Sequence, residues 1–143
     1  AGQRTVPRDH AQLIAFQGEL WMIAGRGGTP LAETRRVTIY DPASETWREG
    51  PAVNTARAGF AASANDSMIM IAGGEMLSTN PVRTINSAEA ILAGATTWVS
   101  LPNLPSAVHG VPGALHGNAF YLMGGSGVAS LAVNTSEVQV YRW

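Results

Sequence analysis

The chain has 143 residues, of which 45% are hydrophobic and 13% charged, and its formal net charge is −1. This length is usual for one domain, and the composition is too apolar and too weakly charged for a disordered segment. The small net charge excludes a strong field that would attract nucleic acid or an anionic membrane, and the absence of cysteine excludes disulfides, thiolate nucleophiles and zinc–cysteine sites.

The first predicted elements lie in residues 20–47. LWMIAG at 20–25 is an apolar run that ends at a glycine, and VTIY at 37–40 has the composition of a second strand. YDPASETW at 40–47 contains an Asp-Pro turn, which separates VTIY from a further strand.

The middle of the chain shows the pattern in full. AGFAASA at 58–64 predicts a first strand, and MIMIA at 68–72 predicts a second that is apolar at every position and hence covered on both faces. Gly73-Gly74 ends this strand. NSAEAIL at 86–92 alternates with period two, as a half-buried strand does, and TTWVS at 96–100 predicts an outer strand.

The last part of the chain repeats these features. FYLMGGSG at 120–127 and VQVY at 138–141 correspond to the second and third strands of the middle unit. A shift of 51 residues places the middle glycine pair on Gly124-Gly125, and a shift of 48 places LWMIAG on residues 68–73. No long stretch has the helical period, so three units of about fifty residues are predicted, all of them built from strands.

The repeated features resemble the kelch repeat. Its signature is a double glycine after an apolar strand, a later tyrosine and a tryptophan seven residues on, here IAGR…IYDPASETW, IAGG…AILAGATTW and LMGG…VYRW. The departures are Gly25-Arg26 in place of two glycines and Ile91 in place of tyrosine. The resemblance, to bacterial kelch and galactose-oxidase-like propellers, implies an all-β fold of four-stranded propeller blades.

The resemblance implies that residues 1–143 form a single kelch-repeat domain of three blades. We expect blades at about 8–50, 57–100 and 108–143, the third without its outer strand. Propellers close with about 4–8 blades, so three would leave two apolar faces uncovered. The expected partners are therefore further blades of the same longer chain, or a second copy that gives a six-bladed homodimer.

The candidate binding site lies on the loops of one propeller face. The resemblance implies that this face surrounds the channel mouth and carries the residues after each glycine pair and those leading into each innermost strand. Arginines beside a glutamate would suit an acidic peptide or an acidic sugar. The predicted ligand-binding residues are Arg26, Arg57, Glu75, Arg83, His109 and Ser126.

Other chemistries find less support. Gly125-x-Gly127 would need a following helix to bind a dinucleotide, and a loop and a strand follow instead. The three histidines lack metal-ligand spacing, and the copper-radical oxidases that share kelch propellers need a cysteine for their cofactor. We therefore predict no cofactor, no metal and no catalytic residue, and we expect Trp47 and Trp98 to pack between blades and Trp21 to lie in the core.

The favoured function is a binding module for a protein or a glycan. One alternative is an enzyme similar to the bacterial kelch-type sialic acid mutarotases, in which Glu75 would act as acid–base with arginines holding the sugar acid. The other is a structural or oligomerising segment. The absence of lysine and the abundance of small residues resemble bacterial extracytoplasmic kelch proteins, which implies a periplasmic or secreted location, and no apolar run reaches the roughly 20 residues of a membrane span.

Overall fold

The structure is a computed structural model that describes residues 6–143; the predictions for residues 1–5 lie outside them. Within this range the chain forms fifteen β-strands and no helix, so none of it is a helix that crosses a membrane. Every strand pairing is antiparallel, in three main sheets and two small hairpins. The prediction of an all-β fold is confirmed.

The first sheet has the strand order β1-β2-β5-β6. These strands are Gln12–Phe16 (β1), Glu19–Ile23 (β2), Val37–Asp41 (β5) and Thr46–Glu49 (β6). Gln17 and Gly18, both with positive φ, form the tight turn between β1 and β2. Arg26–Gly27 (β3) and Ala32–Glu33 (β4) form a small hairpin, which the sequence pattern did not reveal, in the connection from β2 to β5.

The second sheet repeats this order in β7-β8-β11-β12. Its strands are Ala61–Ala64 (β7), Met68–Ala72 (β8), Ala88–Leu92 (β11) and Val99–Leu101 (β12), with a hairpin of Glu75–Met76 (β9) and Arg83–Thr84 (β10). The second strand has the bounds that were predicted. The first is shorter than 58–64 because Ala58 and Gly59 bond to neighbouring loops instead.

The third sheet contains three strands. They are Gly113–His116 (β13), Ala119–Met123 (β14) and Val138–Arg142 (β15), with β14 in the middle. Within residues 6–143 no strand pairs with the outer edge of β15.

The sheets pack face to face, with their first strands side by side. β7 contacts both β1 and β13. Ile69 and Ile71 of β8 belong to the buried cluster shared with the first sheet, whereas Met68 and Met70 belong to the cluster shared with the third. The strand β8 is therefore covered on both faces, as its uniform apolar sequence predicted.

The pairing register corrects the shift between the first two units from 48 to 49 residues. Gln12 pairs with Ile23 as Ala61 pairs with Ala72. Ala24-Gly25 therefore occupies the place of Gly73-Gly74, rather than Gly25-Arg26 as the sequence indicated. Ala24 takes a φ of 49° there, a left-handed conformation that an alanine adopts at some cost, and this concealed the equivalence.

Candidate functional site

The connections between the second and third strand of each sheet lie together on one side of the molecule. We call this side the loop face and define it by residues 24–36, 73–87 and 124–137 with the turns that lead into β1, β7 and β13. The Glu33 carboxylate accepts the backbone N–H of Leu77 at 2.8 Å, and the Thr84 hydroxyl donates to the Gly127 carbonyl at 2.9 Å. The three connections thus form one continuous surface.

The turns leading into the innermost strands are linked from sheet to sheet by hydrogen bonds. The Gly59 N–H donates to the His10 carbonyl at 2.9 Å, and the Gly110 N–H donates to the Gly59 carbonyl at 2.6 Å. All three residues have positive φ, and His10 alone of them carries a side chain. The His10 ring therefore projects from a turn at which the other two units have glycine and no side chain.

Three of the predicted residues occupy equivalent positions in the three units, namely Arg26, Glu75 and Ser126. Isolated bridges join Asp9 to Arg26, Ala58 to Glu75 and His109 to Ser126, so each residue after a glycine pair bonds to the turn before an innermost strand. The structure brings four of the six predicted site residues to one open pocket of about 390 Å³. These four are Arg26, Glu75, His109 and Ser126.

Glu75 is the buried centre of this pocket. Its side chain is 4% exposed; Oε1 accepts from Arg26 at 2.8 Å, and Oε2 accepts the Ser130 N–H at 2.8 Å. The Arg26 guanidinium also donates through Nε to Asp9 at 3.1 Å and lies beside the His10 ring. The charge of Arg26 is therefore neutralised inside the molecule.

His109 connects Glu75 to the third loop. Its Nε2 lies 2.9 Å from the Val128 carbonyl oxygen, which only accepts, so this nitrogen carries a proton. Its Nδ1 lies 3.4 Å from Glu75 Oε2. His109 therefore ties the buried Glu75 carboxylate to the third loop.

Ser126 organises the loop instead of presenting its hydroxyl to solvent. Its Oγ donates to the Leu131 carbonyl at 2.6 Å and accepts the Val133 N–H at 3.1 Å. Ser130, in the same loop, has a φ of 63° and gives its N–H to Glu75. Sequence reasoning missed Ser130 and Asn134 as lining residues, since neither belongs to a periodic segment.

Arg57 lies beneath the loop face, which differs from the expectation that it would meet a ligand. Its side chain is 0% exposed and donates to the carbonyls of Gly73 and Ser87 and to Glu89 at 2.6 Å. Burial lowers the pKa of the Arg57 guanidinium, and the negative charge of Glu89 opposes that shift. A glutamate inside the apolar strand AEAIL was the sequence signal for this buried pair.

Arg83 lies on β10 and is exposed, outside the pocket. Its guanidinium contacts the Met76 sulfur at 3.5 Å and forms no ion pair within residues 6–143. It is therefore the predicted arginine whose charge faces solvent.

Exposed aliphatic side chains lie on all three connections of the loop face, and one of them, Leu131, lines the pocket. Sequence reasoning did not single them out, because isolated apolar residues in loops form no pattern. They are Leu31, Val82, Val128, Leu131 and Val133.

The described residues contain no group of three or more His, Asp or Glu side chains arranged to hold a metal ion.

Comparisons with known proteins bear on the fold. No family model matches the chain. Over 139 residues, 95% of its length, the chain is 29% identical to the Kelch-like protein terF of Aspergillus terreus. The chain has a kelch-type fold. It spans 30% of that relative's length, and the comparison does not support the bacterial origin inferred from composition.

Proposed function

We propose that this chain is a segment of a kelch-type β-propeller, with each of its three sheets as one blade, and that it binds a protein through the loop face. The likeness to a Kelch-like protein and the side-by-side packing of β1, β7 and β13 support the architecture. The extracytoplasmic location stays a prediction from composition, which cell fractionation would test.

The observation that carries the binding role is the set of exposed aliphatic side chains on the three connections of the loop face. Leu131 is 57% exposed and Val133 54%, on a loop that Ser126 and Glu75 hold in place. Apolar side chains with a polar surround are typical of a protein–protein interface. Because hydrogen bonds fix the loop, little ordering is needed on binding.

The pocket would then supply specificity. Arg26 is already engaged by Glu75 and Asp9, so an acidic ligand would not find a free cation there. The groups that remain suited to a ligand are the Asn134 amide, which lines the pocket, and Arg83, which is exposed outside it on β10. A ligand with apolar side chains and one acidic residue near Arg83 fits this arrangement best.

A glycan ligand or a mutarotase-like activity has less support from the geometry. None of the described residues that line the pocket is a tryptophan, tyrosine or phenylalanine, the side chains on which sugar rings stack. Both oxygens of Glu75 already accept hydrogen bonds, which is unsuited to an acid–base group that must exchange a proton with a substrate.

The test is selection of a peptide library displayed on phage against the purified chain, followed by affinity measurement on synthetic copies of the enriched peptides. We expect Leu131→Asp to weaken binding by about tenfold or more, as loss of a central apolar contact does. The matched control is Leu13→Asp, since Leu13 is equally exposed, on β1 of the first sheet. Equal losses in the two variants, or no enriched peptide, would contradict the proposal.

A further inference from the structure

A second cavity lies in the groove between the first and second sheets, at the strand ends opposite the loop face. It has a volume of about 300 Å³, at the lower end of the range of small-molecule sites. The first sheet contributes Phe16, Trp21 and the ion pair of Arg48 with Glu19, and the second contributes the turn that follows Leu92. Both sheets have four strands, and neither end of the chain contributes to the walls.

Hydrogen bonds across the groove fix the walls of this cavity. The Gln17 side-chain amide, in the turn between β1 and β2, donates to the Asp66 carbonyl of the second sheet at 2.6 Å. The Trp98 indole N–H donates to the Pro51 carbonyl, just after β6, at 2.8 Å. The Trp98 ring is 5% exposed and belongs to the buried cluster that the two sheets share. A ligand would therefore meet a cavity that needs little further ordering.

Trp21 brings an unpaired hydrogen-bond donor to the cavity. The residue is 7% exposed, and its indole nitrogen is buried without an acceptor among residues 6–143. An indole N–H only donates, and nearly all buried donors in proteins have a partner. A ligand oxygen that entered the cavity lined by Trp21 would supply the acceptor.

The ion pair of Arg48 with Glu19 is a special feature of this cavity. One guanidinium nitrogen of Arg48 donates to both Glu19 oxygens at 2.7 Å. By the pairing register, Glu19 and Arg48 are the counterparts of Met68 and Val99 in the second sheet. Because the fold accepts apolar side chains at these two positions, packing of the sheets does not require the charged pair.

The ion pair favours a neutral ligand over a charged one. A carboxylate that approached Arg48 would also meet Glu19, and an ammonium group that approached Glu19 would also meet Arg48. A hydroxyl both donates and accepts, so hydroxyls on adjacent carbons can bond to the two partners at once. Leu92, which is 54% exposed, offers an apolar wall to C–H groups.

We propose that this cavity binds a neutral, polyhydroxylated ligand of the size of one monosaccharide. One hydroxyl accepts the Trp21 N–H, its neighbours bond to Arg48 and Glu19, and the C–H groups of the ring pack on Leu92. Two aromatic residues line this cavity, Phe16 and Trp21, in contrast to the loop-face pocket. The site is separate from the loop face and does not rest on the protein-binding role.

The experiment is an NMR titration of the intact ¹⁵N-labelled chain. The probes are glucose, galactose and mannose, each with its uronic acid and its 2-amino analogue. We expect the Trp21 indole N–H signal to shift saturably with at least one neutral sugar. Both charged analogues of that sugar should bind about fivefold more weakly or worse, because each brings a like charge to one partner of the ion pair.

Two variants test the contacts, with the amide signals of residues 94–96 as the readout. Trp21→Phe keeps an aromatic ring and removes the N–H, and Glu19→Ala removes the carboxylate. Each should weaken binding of the neutral sugar about fivefold, as loss of one hydrogen bond does. Circular dichroism checks that Trp21→Phe is folded, and Glu19→Ala changes only a surface pair.

Two controls should leave sugar binding unchanged. Glu49→Ala breaks the ion pair with Arg36 on the other face of the same sheet, and Leu131→Asp changes the loop face. Because Leu131→Asp removes peptide binding alone, failure of one proposal is distinguishable from failure of the other. Three results would overturn the sugar site: no shift with any sugar, tighter binding of a charged analogue than of its neutral parent, or undiminished binding in both Trp21→Phe and Glu19→Ala.

Discussion

Removing the Glu89 carboxylate should destabilise the fold more than any surface ion-pair change. Glu89 Oε1 accepts from Arg57 at 2.6 Å and from the Thr55 N–H at 2.9 Å, and Oε2 accepts the Asn54 N–H at 2.6 Å. Glu89→Ala leaves a buried guanidinium without its counter-ion and two backbone N–H groups without their acceptor. Loss of one partner from a buried ion pair costs about 3–5 kcal/mol, about a fifth or more of the ~5–15 kcal/mol that keeps a typical domain folded.

The third sheet offers a guide to a less damaging replacement. There Val108 stands in the position of Arg57, and Gln139 in that of Glu89, with its side-chain oxygen accepting the Ser106 N–H at 2.9 Å. An uncharged side-chain amide can therefore bond the segment that leads from one sheet into the next. We expect the double variant Arg57→Met/Glu89→Gln to lose about 2 kcal/mol less than the sum of the two single variants, because each single variant leaves a buried charge without its partner and the double variant leaves none.

The assay is urea unfolding followed by tryptophan fluorescence, with the free energy taken by linear extrapolation and the m-values compared among variants. Glu19→Ala is the matched control, since Glu19 pairs with the half-exposed Arg48 and should cost no more than about 1 kcal/mol. A cost below about 1 kcal/mol for Glu89→Ala, or single-variant costs that add to within about 0.5 kcal/mol, would refute the reasoning.

Three further predictions concern packing, backbone and pH. Trp98→Ala should cost about 3–5 kcal/mol in the same assay because it empties the groove between the first two sheets; a loss under about 1 kcal/mol would contradict that packing. Gly73→Ala, whose Cβ would lie 2.5 Å from a neighbouring carbonyl oxygen at a φ of 70°, should cost at least about 2 kcal/mol. Ala24→Gly should stay within about 1 kcal/mol of the parent, since relief of a left-handed alanine offsets a lost buried methyl; equal effects at the two positions would be contrary evidence. Burial raises the pKa of Glu33, but hydrogen bonds from Ser78 and nearby backbone N–H groups together outweigh it, so the pKa is lowered overall. The stabilising contribution of Glu33 is therefore present above the ordinary value of 4.5 and is lost as pH falls through the lower folded value. NMR titration of the Ser78 amide should show this transition, Glu33→Gln should abolish it, and a transition above 4.5 would reverse the sign.

The strands could be predicted where their side chains form an apolar run or an alternating pattern. MIMIA at 68–72 was predicted with its final bounds because a strand buried on both faces has an unambiguous composition. The hairpins β3–β4 and β9–β10 escaped prediction, since strands of two residues have no period to detect. The unit shift was wrong by one residue because Ala24 has a backbone conformation that the sequence assigned to glycine.

The site could be predicted in part. Positions after the glycine pairs lie at one pocket because the strands before them end at the same side, and Arg26 and Glu75 bond to each other there. Their role in binding a ligand stays a prediction. The burial of Arg57 depends on a carboxylate 32 residues away along the chain, which the pairing of β7 with β8 and of β8 with β11 brings within reach. An arginine in a connecting segment is predicted to be exposed to solvent, because the residues next to it in sequence do not show which distant side chain it will meet.

The hydrogen-bonded turns at His10, Gly59 and Gly110 bear on how the pocket could gain new side chains in evolution. Gly110 borders the pocket, and a Cβ built there meets no heavy atom within 4 Å. Its φ of 59° is one that asparagine tolerates. A single codon change at this glycine would thus add a new functional group to the pocket rim without disturbing a packed side chain, so chemistry can evolve at the mouth while the interior of the sheets stays constant.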